Sequence, residues 1–264
     1  MDRMRSADER RRHIVELTEQ RAYLRPADIA VELSVSTETV RRDLLALEQS
    51  GMLRRVHGGA LAAVMRTSEP DRTSRQTSER AQKEAIGRLV DGLLTDGDIV
   101  FFDVGTTVET AAAMIRPSFV GTVITNSVAV GAALNDRAEI ELHVLGGMLR
   151  LGELTTYGPD TLAQLAGFNA SVAFIGSGGI SVERGVTDYS LDDIAIKKMM
   201  IERSARSYVL ATANKFGMQA KRVVCDFDQV DGVITDQELD AESVNAYREA
   251  GLTLLTPAEV EAAS

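Results

Sequence analysis

The chain has 264 residues with a single cysteine and a formal net charge of −10. One cysteine excludes a disulfide framework and any cysteine-rich zinc or iron–sulfur site. No run approaches the ~18 apolar residues of a membrane helix, and the amino terminus lacks the apolar segment of a secretory signal, so a cytoplasmic protein with no membrane partner is expected.

The length suits two domains, and charge divides them. Residues 1–60 hold 11 Arg or Lys against 10 Asp or Glu, whereas the remainder holds 18 against 29. The acidity therefore belongs to the second part. An anionic partner of the first part meets local charge instead, within a Debye length of ~8–10 Å. Arg10-Arg11-Arg12, Arg41-Arg42 and Arg54-Arg55 supply it.

Ala7 to Gln20 carries Ile14 and Leu17 on one face, and Pro26 opens a second helix with Ile29, Ala30 and Leu33 inward. Ser36 is a good N-cap, and Glu38 places negative charge in the first turn of a third helix, where the helix dipole favours it. Val40, Leu44 and Leu47 form its apolar stripe, which puts Glu38 and Arg42 on the opposite face and Thr37, Thr39 and Arg41 at the flanks. Gly51 reads as the C-cap, and Met52 to Gly59 as a short basic strand turning at a Gly-Gly pair, with Arg54, Arg55 and His57. Cap, outward arginines, glycine stop and basic wing fall in the order of a winged helix-turn-helix that lays one helix in the major groove of double-stranded DNA. Arg41 and Arg42 then divide guanine and phosphate contacts, Thr37 and Thr39 suit the backbone, and Glu38 either accepts from cytosine N4 or stabilises the helix start.

The expected division is a DNA-binding domain over residues 1–62, a polar linker with almost nothing to bury over 63–80, and a larger domain over 81–264. In the last, apolar runs at Ile99–Phe102, Val123–Ile124, Leu142–Leu145, Val172–Ile175, Tyr208–Ala211, Val233–Ile234 and Leu252–Leu255 read as strands. Helical patterns lie between them at Lys83–Leu94, Val108–Ile115, Val128–Leu134, Leu191–Ala205 and Ala241–Ala250. This alternation predicts an α/β fold with a mostly parallel sheet and helices on its faces. Cys225, in an apolar run, reads as a buried structural thiol.

Ligands of such sheets sit outside the carboxyl ends of the strands. The residues there are rich in Gly, Thr and Asn: Asp103, Gly105, Thr106 and Thr107; Thr125 and Asn126; Gly146 and Gly147; Gly176 and Gly178; and Lys215. Gly105 lets backbone approach a ligand, Thr106 and Thr107 open a helix whose N–H groups favour an anion, Lys215 adds a cation, and Asp103 accepts from hydroxyls. The candidate ligand is a phosphorylated sugar. An aldose–ketose phosphate isomerase using Asp103, Asp188 and Lys215 is the alternative, since that chemistry needs a carboxylate base and an oxyanion partner. No residue is assigned a catalytic role, and no cofactor or metal is expected.

Ser36 to Leu44, with Leu47, Glu48 and Gly51, resembles the DNA-binding signature of the DeoR family of bacterial transcriptional regulators, and His57 to Ala60 its wing. Asp103 to Thr107, Thr125-Asn126, Gly146-Gly147 and Lys215-Phe216-Gly217 are similar to the family's sensor motifs. The resemblance implies a Rossmann-like sensor of the sugar-phosphate-isomerase type, retained for binding, and a homo-oligomeric repressor, dimer or tetramer, released from operator DNA by a phosphorylated sugar or sugar alcohol. Two positions depart from the pattern. Thr212 and Ala195 are uncharged where family members often carry acids, which implies a different effector or weaker binding.

Overall fold

Capping and apolar spacing set the first three helices. α1 (Ala7–Gln20) is followed by a two-residue strand β1 (Tyr23–Leu24), α2 (Pro26–Glu32) and α3 (Thr37–Gln49). Ile14, Leu17, Ile29, Val40, Leu44 and Leu47 are buried together as one small core. The turn before α3 places Ser34 in the left-handed region at φ 54°, which lets two helices joined by so few residues cross. β2 (Leu53–Val56) and β3 (Gly59–Ala62) form the wing, with β3 pairing antiparallel to both β1 and β2. The computed structural model describes residues 7–20, 23–49, 53–56, 59–62, 69–237, 239 and 241–257. The expected C-cap Gly51 and the wing residue His57 lie outside these.

The second part is a seven-stranded parallel sheet. Its strands are β4 (Ile99–Phe102), β5 (Gly121–Thr125), β6 (Ile140–Val144), β9 (Val172–Gly176), β12 (Ser207–Leu210), β14 (Gly232–Ile234) and β15 (Leu254–Leu255), in the spatial order β15-β14-β12-β9-β4-β5-β6. Alternate residues of the central strands feed two cores. Phe101, Ile175 and Val209 face one side, with α8 (Pro159–Leu165), α9 (Leu191–Glu202) and α10 (Ala241–Glu249). Phe102, Phe174 and Leu210 face the other, against α5 (Arg80–Leu93), α6 (Thr106–Ala113) and α7 (Val128–Leu134). Burial on both faces explains why these strands read as continuous apolar runs. Two small antiparallel units complete the domain. One is the hairpin β7 (Met148–Arg150) with β8 (Thr155–Tyr157); the other joins β10 (Gly179–Ser181), β11 (Gly185–Asp188) and β13 (Arg222–Cys225). Cys225 is buried in β13, and burial pushes its thiol up to about 12.

The polar stretch expected to be a linker is folded from Glu69 onward. Residues 72–77 form α4 (Arg72–Thr77), tied to the sheet domain by ion pairs: Arg72 with Glu109 at 2.7 Å, and Arg75 with Glu153. Its polarity marks attachment through charge rather than apolar burial. This segment, residues 69–80, is here called the strap.

Candidate DNA-binding face and effector cavity

Ser36 caps α3 as its sequence dictates: its Oγ accepts from the Thr39 N–H at 3.1 Å, and the Thr39 hydroxyl shares a 2.8 Å hydrogen bond with it. Thr39 is thereby committed to the cap. Burial of Val40, Leu44 and Leu47 turns Arg41 and Arg42 outward, with 63% and 79% of their side chains exposed. Glu38 lies between them, 3.8 Å from Arg41 Nη1 and 3.7 Å from Arg42 Nε. Thr37 is half-buried at the helix start, and Arg54 and Arg55 fall within β2. The arginine run on α1 is more committed than its sequence suggests. Asp43, buried on α3, accepts from Arg10 Nε at 2.8 Å and Arg11 Nε at 3.1 Å, so those two arginines lock α1 to α3.

The sheet places the second site by its connectivity. From β4 the chain proceeds through β5 to β6 on one side, and from β9 through β12, β14 and β15 on the other. The carboxyl ends of β4 and β9 therefore flank the crevice where the winding reverses, the position at which such sheets bind ligands. A cavity of about 390 Å³ opens there, within the range of small-molecule sites. Of the sequence-predicted residues, Gly105, Thr106, Thr107, Gly176, Gly178 and Lys215 line it. Gly105, at φ +114°, turns the chain into α6, whose first N–H groups have no intrahelical acceptor.

The remaining candidates are elsewhere. Thr125 ends β5 and Asn126 follows it, Gly146 and Gly147 follow β6, away from the switch point, and none of the four lines the cavity. Asn126 Nδ2 donates to the Thr156 carbonyl at 3.0 Å, and Thr125 Oγ1 accepts from the Ser127 N–H at 3.0 Å. The Gly146 N–H donates to Gln164 Oε1 at 3.0 Å, and Gly147, at φ +139°, passes so close to Tyr157 that a Cβ would meet its carbonyl at 2.7 Å. Asn126 and Gly147 seat strand β8 of the hairpin, Thr125 fixes the turn into α7, and Gly146 is held by α8. Their glycines and small polar groups serve close backbone packing.

Asp103 is fully buried beneath the cavity floor, where its Oδ2 accepts from the Gly176 N–H at 2.8 Å and from Lys197 Nζ. Its Oδ2 is thereby committed to Lys197 and the Gly176 N–H, and Asp103 does not line the cavity. Lys197 also lies 3.2 Å from Asp188 Oδ2 and donates to the Gly176 carbonyl at 3.1 Å. Burial alone would lower the lysine, but Asp103 and Asp188 outweigh it and raise the ammonium above its ordinary range. Gly176 has no Cβ to hold the ends of β4 and β9 apart, which lets this pair form.

Sequence reasoning missed the strap and hairpin walls. Arg75, Lys83, Arg150, Lys197 and Lys215 line the cavity together with Glu69, Glu79, Glu153, Asp188 and Asp193. Glu69 lies 3.0 Å from Arg75 Nη2 and 2.7 Å from Arg150 Nη2, while Arg150 Nη1 donates to Asp193 Oδ2 at 2.5 Å. Lys83 donates to the carbonyls of Arg75 and Ser78, and burial pushes its pKa down. Burial also raises the Asp193 carboxyl to about 6, against the opposing pull of Lys197 and Arg150. Cationic and acidic lining residues are equal in number, and the guanidiniums of Arg75 and Arg150 are already paired with carboxylates.

The two departures from the family pattern resolve differently. Thr212 Oγ1 lies 3.1 Å from Glu79 Oε2 and 2.7 Å from Asn214 Oδ1, and Asn214 Nδ2 donates to the Glu79 carboxylate, so a residue of the strap brings an acid to the Thr212 position. Glu79 adopts φ 56° there. Ala195 is exposed and does not line the cavity; Asp193, two residues before it, does. Among the described residues no group of three or more His, Cys, Asp or Glu is set to hold a metal ion, and no helix is long and apolar enough to cross a membrane.

An outward-facing arginine pair on the third helix of a helix-turn-helix, joined to a cavity-bearing α/β domain, defines a transcriptional regulator. The DeoR-like helix-turn-helix domain matches residues 10–65 and the DeoR C-terminal sensor domain residues 78–237, and the chain belongs to this family. It is 32% identical to the HTH-type transcriptional repressor GlcR of Bacillus subtilis, over 87% of this chain and 88% of that protein. It is 29% identical to the glycerol-3-phosphate regulon repressor of Escherichia coli K12, over 86% and 90%. Among solved structures, ribose 5-phosphate isomerase A of Methanocaldococcus jannaschii aligns over 53% of this chain and 55% of its own, at 14% identity and a TM-score of 0.40.

Proposed function

We propose that the protein is a repressor of a carbohydrate-utilisation operon, released from its operator by a phosphorylated sugar or sugar alcohol bound in the cavity. The observation that carries this reading is the cavity's composition. The unsatisfied start of α6 at Gly105–Thr107 and the Lys215 ammonium suit a phosphate. The buried Thr155 Oγ1, Ser177 Oγ and Asp193 Oδ1, which have no hydrogen-bond partner among the described residues, suit the hydroxyls of a carbon chain. That the Escherichia coli relative is a glycerol-3-phosphate regulon repressor is in keeping with such an effector. A palindromic operator calls for two recognition helices related by a two-fold axis, so the working form is a homo-oligomer, a dimer or tetramer.

The cavity binds rather than turns over. Proton transfer between sugar carbons needs a free carboxylate base, whereas Asp103 is locked to Lys197 away from solvent and Asp188, on the cavity wall, is held 3.2 Å from the same lysine. Calorimetry with a panel of sugar phosphates and their free sugars, paired with operator titration, tests the reading. A phosphorylated member should bind far more tightly than its free sugar and release the DNA; equal affinity with and without phosphate would overturn it.

A further inference from the structure

The chain that leaves the wing enters the wall of the cavity almost at once. Glu69 follows Ala62, the last residue of β3, by seven positions. Its two carboxylate oxygens are divided between guanidiniums on different units: Oε2 accepts from Arg150 of the hairpin at 2.7 Å, and Oε1 lies 3.0 Å from Arg75 of the strap. A carboxylate shared by two guanidinium forks takes the place that a phosphate takes in such geometry. Among residues 69–71, the Glu69–Arg150 pair is the side-chain tie to the sheet domain; further along, Arg72–Glu109 and Arg75–Glu153 fasten α4.

We propose that Glu69 is the residue that couples the cavity to the DNA-binding half. Its carboxylate stands in for an anionic ligand group, and a phosphorylated effector competes with it for Arg75 and Arg150. The inference rests on the reading of the cavity given above. A ligand shifts a conformational equilibrium only by its differential affinity for the two states. Here the difference is concrete: with Glu69 in place the guanidiniums hold its carboxylate, and with Glu69 displaced its position on them, beside the retained Arg75–Glu153 and Arg150–Asp193 pairs, passes to a phosphate dianion. Displacement detaches the start of the strap from the hairpin, and with it the segment leading back to the wing. By reciprocity, operator binding to the latched form lowers effector affinity by the same factor.

The test combines operator titration, on a duplex selected from random DNA, with calorimetry using inorganic phosphate as the probe. Glu69→Gln, Arg150→Gln, the double variant and Glu84→Gln are compared, the last removing a charge from an exposed i,i+4 pair with Arg80 outside the cavity. Without any effector, Glu69→Gln and Arg150→Gln should each bind operator about tenfold more weakly, the double variant no more weakly than either, and Glu84→Gln like the parent. Glu69→Gln should also bind phosphate several-fold more tightly. Parental operator affinity in Glu69→Gln, additive losses in the double variant, or unchanged phosphate affinity would each overturn the coupling. Unfolding by circular dichroism confirms that the variants are folded. Because the operator arm uses no effector, a panel that finds no phosphosugar ligand sinks the proposed function while the operator arm still decides the role of Glu69.

Discussion

The carboxylate of Glu38 lies 3.7 Å from Nε of Arg42, one helical turn away on the exposed face of α3. The pair is solvated and contributes little to stability, but it sets how much of the arginine's charge is available to DNA. Arg42→Ala should leave folding intact and cost operator binding ~1–3 kcal/mol with relaxed preference at one base pair, the expectation for a lost base contact. Glu38→Gln should act in the opposite sense on non-sequence-specific duplex, strengthening binding and steepening its salt dependence. Fluorescence anisotropy over a salt series reads both.

Asp43 lies on the same helix and faces the other way. Asp43→Ala strips the carboxylate from Arg10 and Arg11, and the mostly buried Arg10 loses its counter-charge. Since both arginines retain some solvent contact, the cost should fall at ~1–3 kcal/mol, below that of a fully enclosed pair. Operator binding should fail on warming while the sensor's calorimetric unfolding transition stays in place.

The Lys197 cluster is enclosed, so its removal is more costly. Lys197→Met leaves Asp103 and Asp188 without their cation and should destabilise the sheet domain by ~3–5 kcal/mol in urea unfolding. Lys215→Met, on the cavity wall, should change stability by less than ~0.5 kcal/mol yet give a repressor that holds its operator and ignores phosphorylated ligands.

What was legible before the structure follows from periodicity. All seven parallel strands, from Ile99–Phe102 to the last near Leu254, and the helices α5, α6, α7, α9 and α10 of the second domain stood out as apolar runs or amphipathic stretches, because each buries a continuous face, whereas the seven-residue α8 did not. The capped helix at Ser36 was equally plain. The hairpin carrying Arg150, the strap, and the β10-β11-β13 unit were not, since their three- to four-residue strands and the six-residue helix have no room for a period. The cavity was therefore half visible. Its floor and rim glycines follow strands, but Glu69, Arg75 and Glu79 come from a segment whose polarity reads as solvent-exposed connection, and Arg150 from a strand of only three residues. Asn126 and Gly147 misled for a related reason: Gly and Asn mark tight backbone packing as readily as a ligand. Strand order, which decides between these, is not written in any local pattern.

Asp193 gives the sheet domain a pH signature. Its carboxyl is raised to about 6 in the folded chain by burial, while an unfolded aspartate titrates near ~3.9. Between about pH 4 and pH 6 the folded state thus holds more protons than the unfolded state, and stability falls as pH rises through that window, levelling above it. At about 1.4 kcal/mol per pKa unit the full span is about 3 kcal/mol. Asp193→Asn should abolish this slope, read as the difference between parent and variant urea midpoints from pH 4 to 7. A difference that is flat with pH would show that the carboxyl titrates normally.

Because α4 and Glu79 supply one side of the cavity, the sensor's functional boundary does not fall where sequence similarity to the sensor begins, at residue 78. A fragment trimmed to that point keeps every strand of the sheet but presents its crevice as an open trough, without Glu69 and Arg75. Transplanting this sensor onto another DNA-binding head therefore requires the splice to be made upstream of Glu69. A chimera joined at residue 80 would inherit the fold and leave behind the part of it that listens.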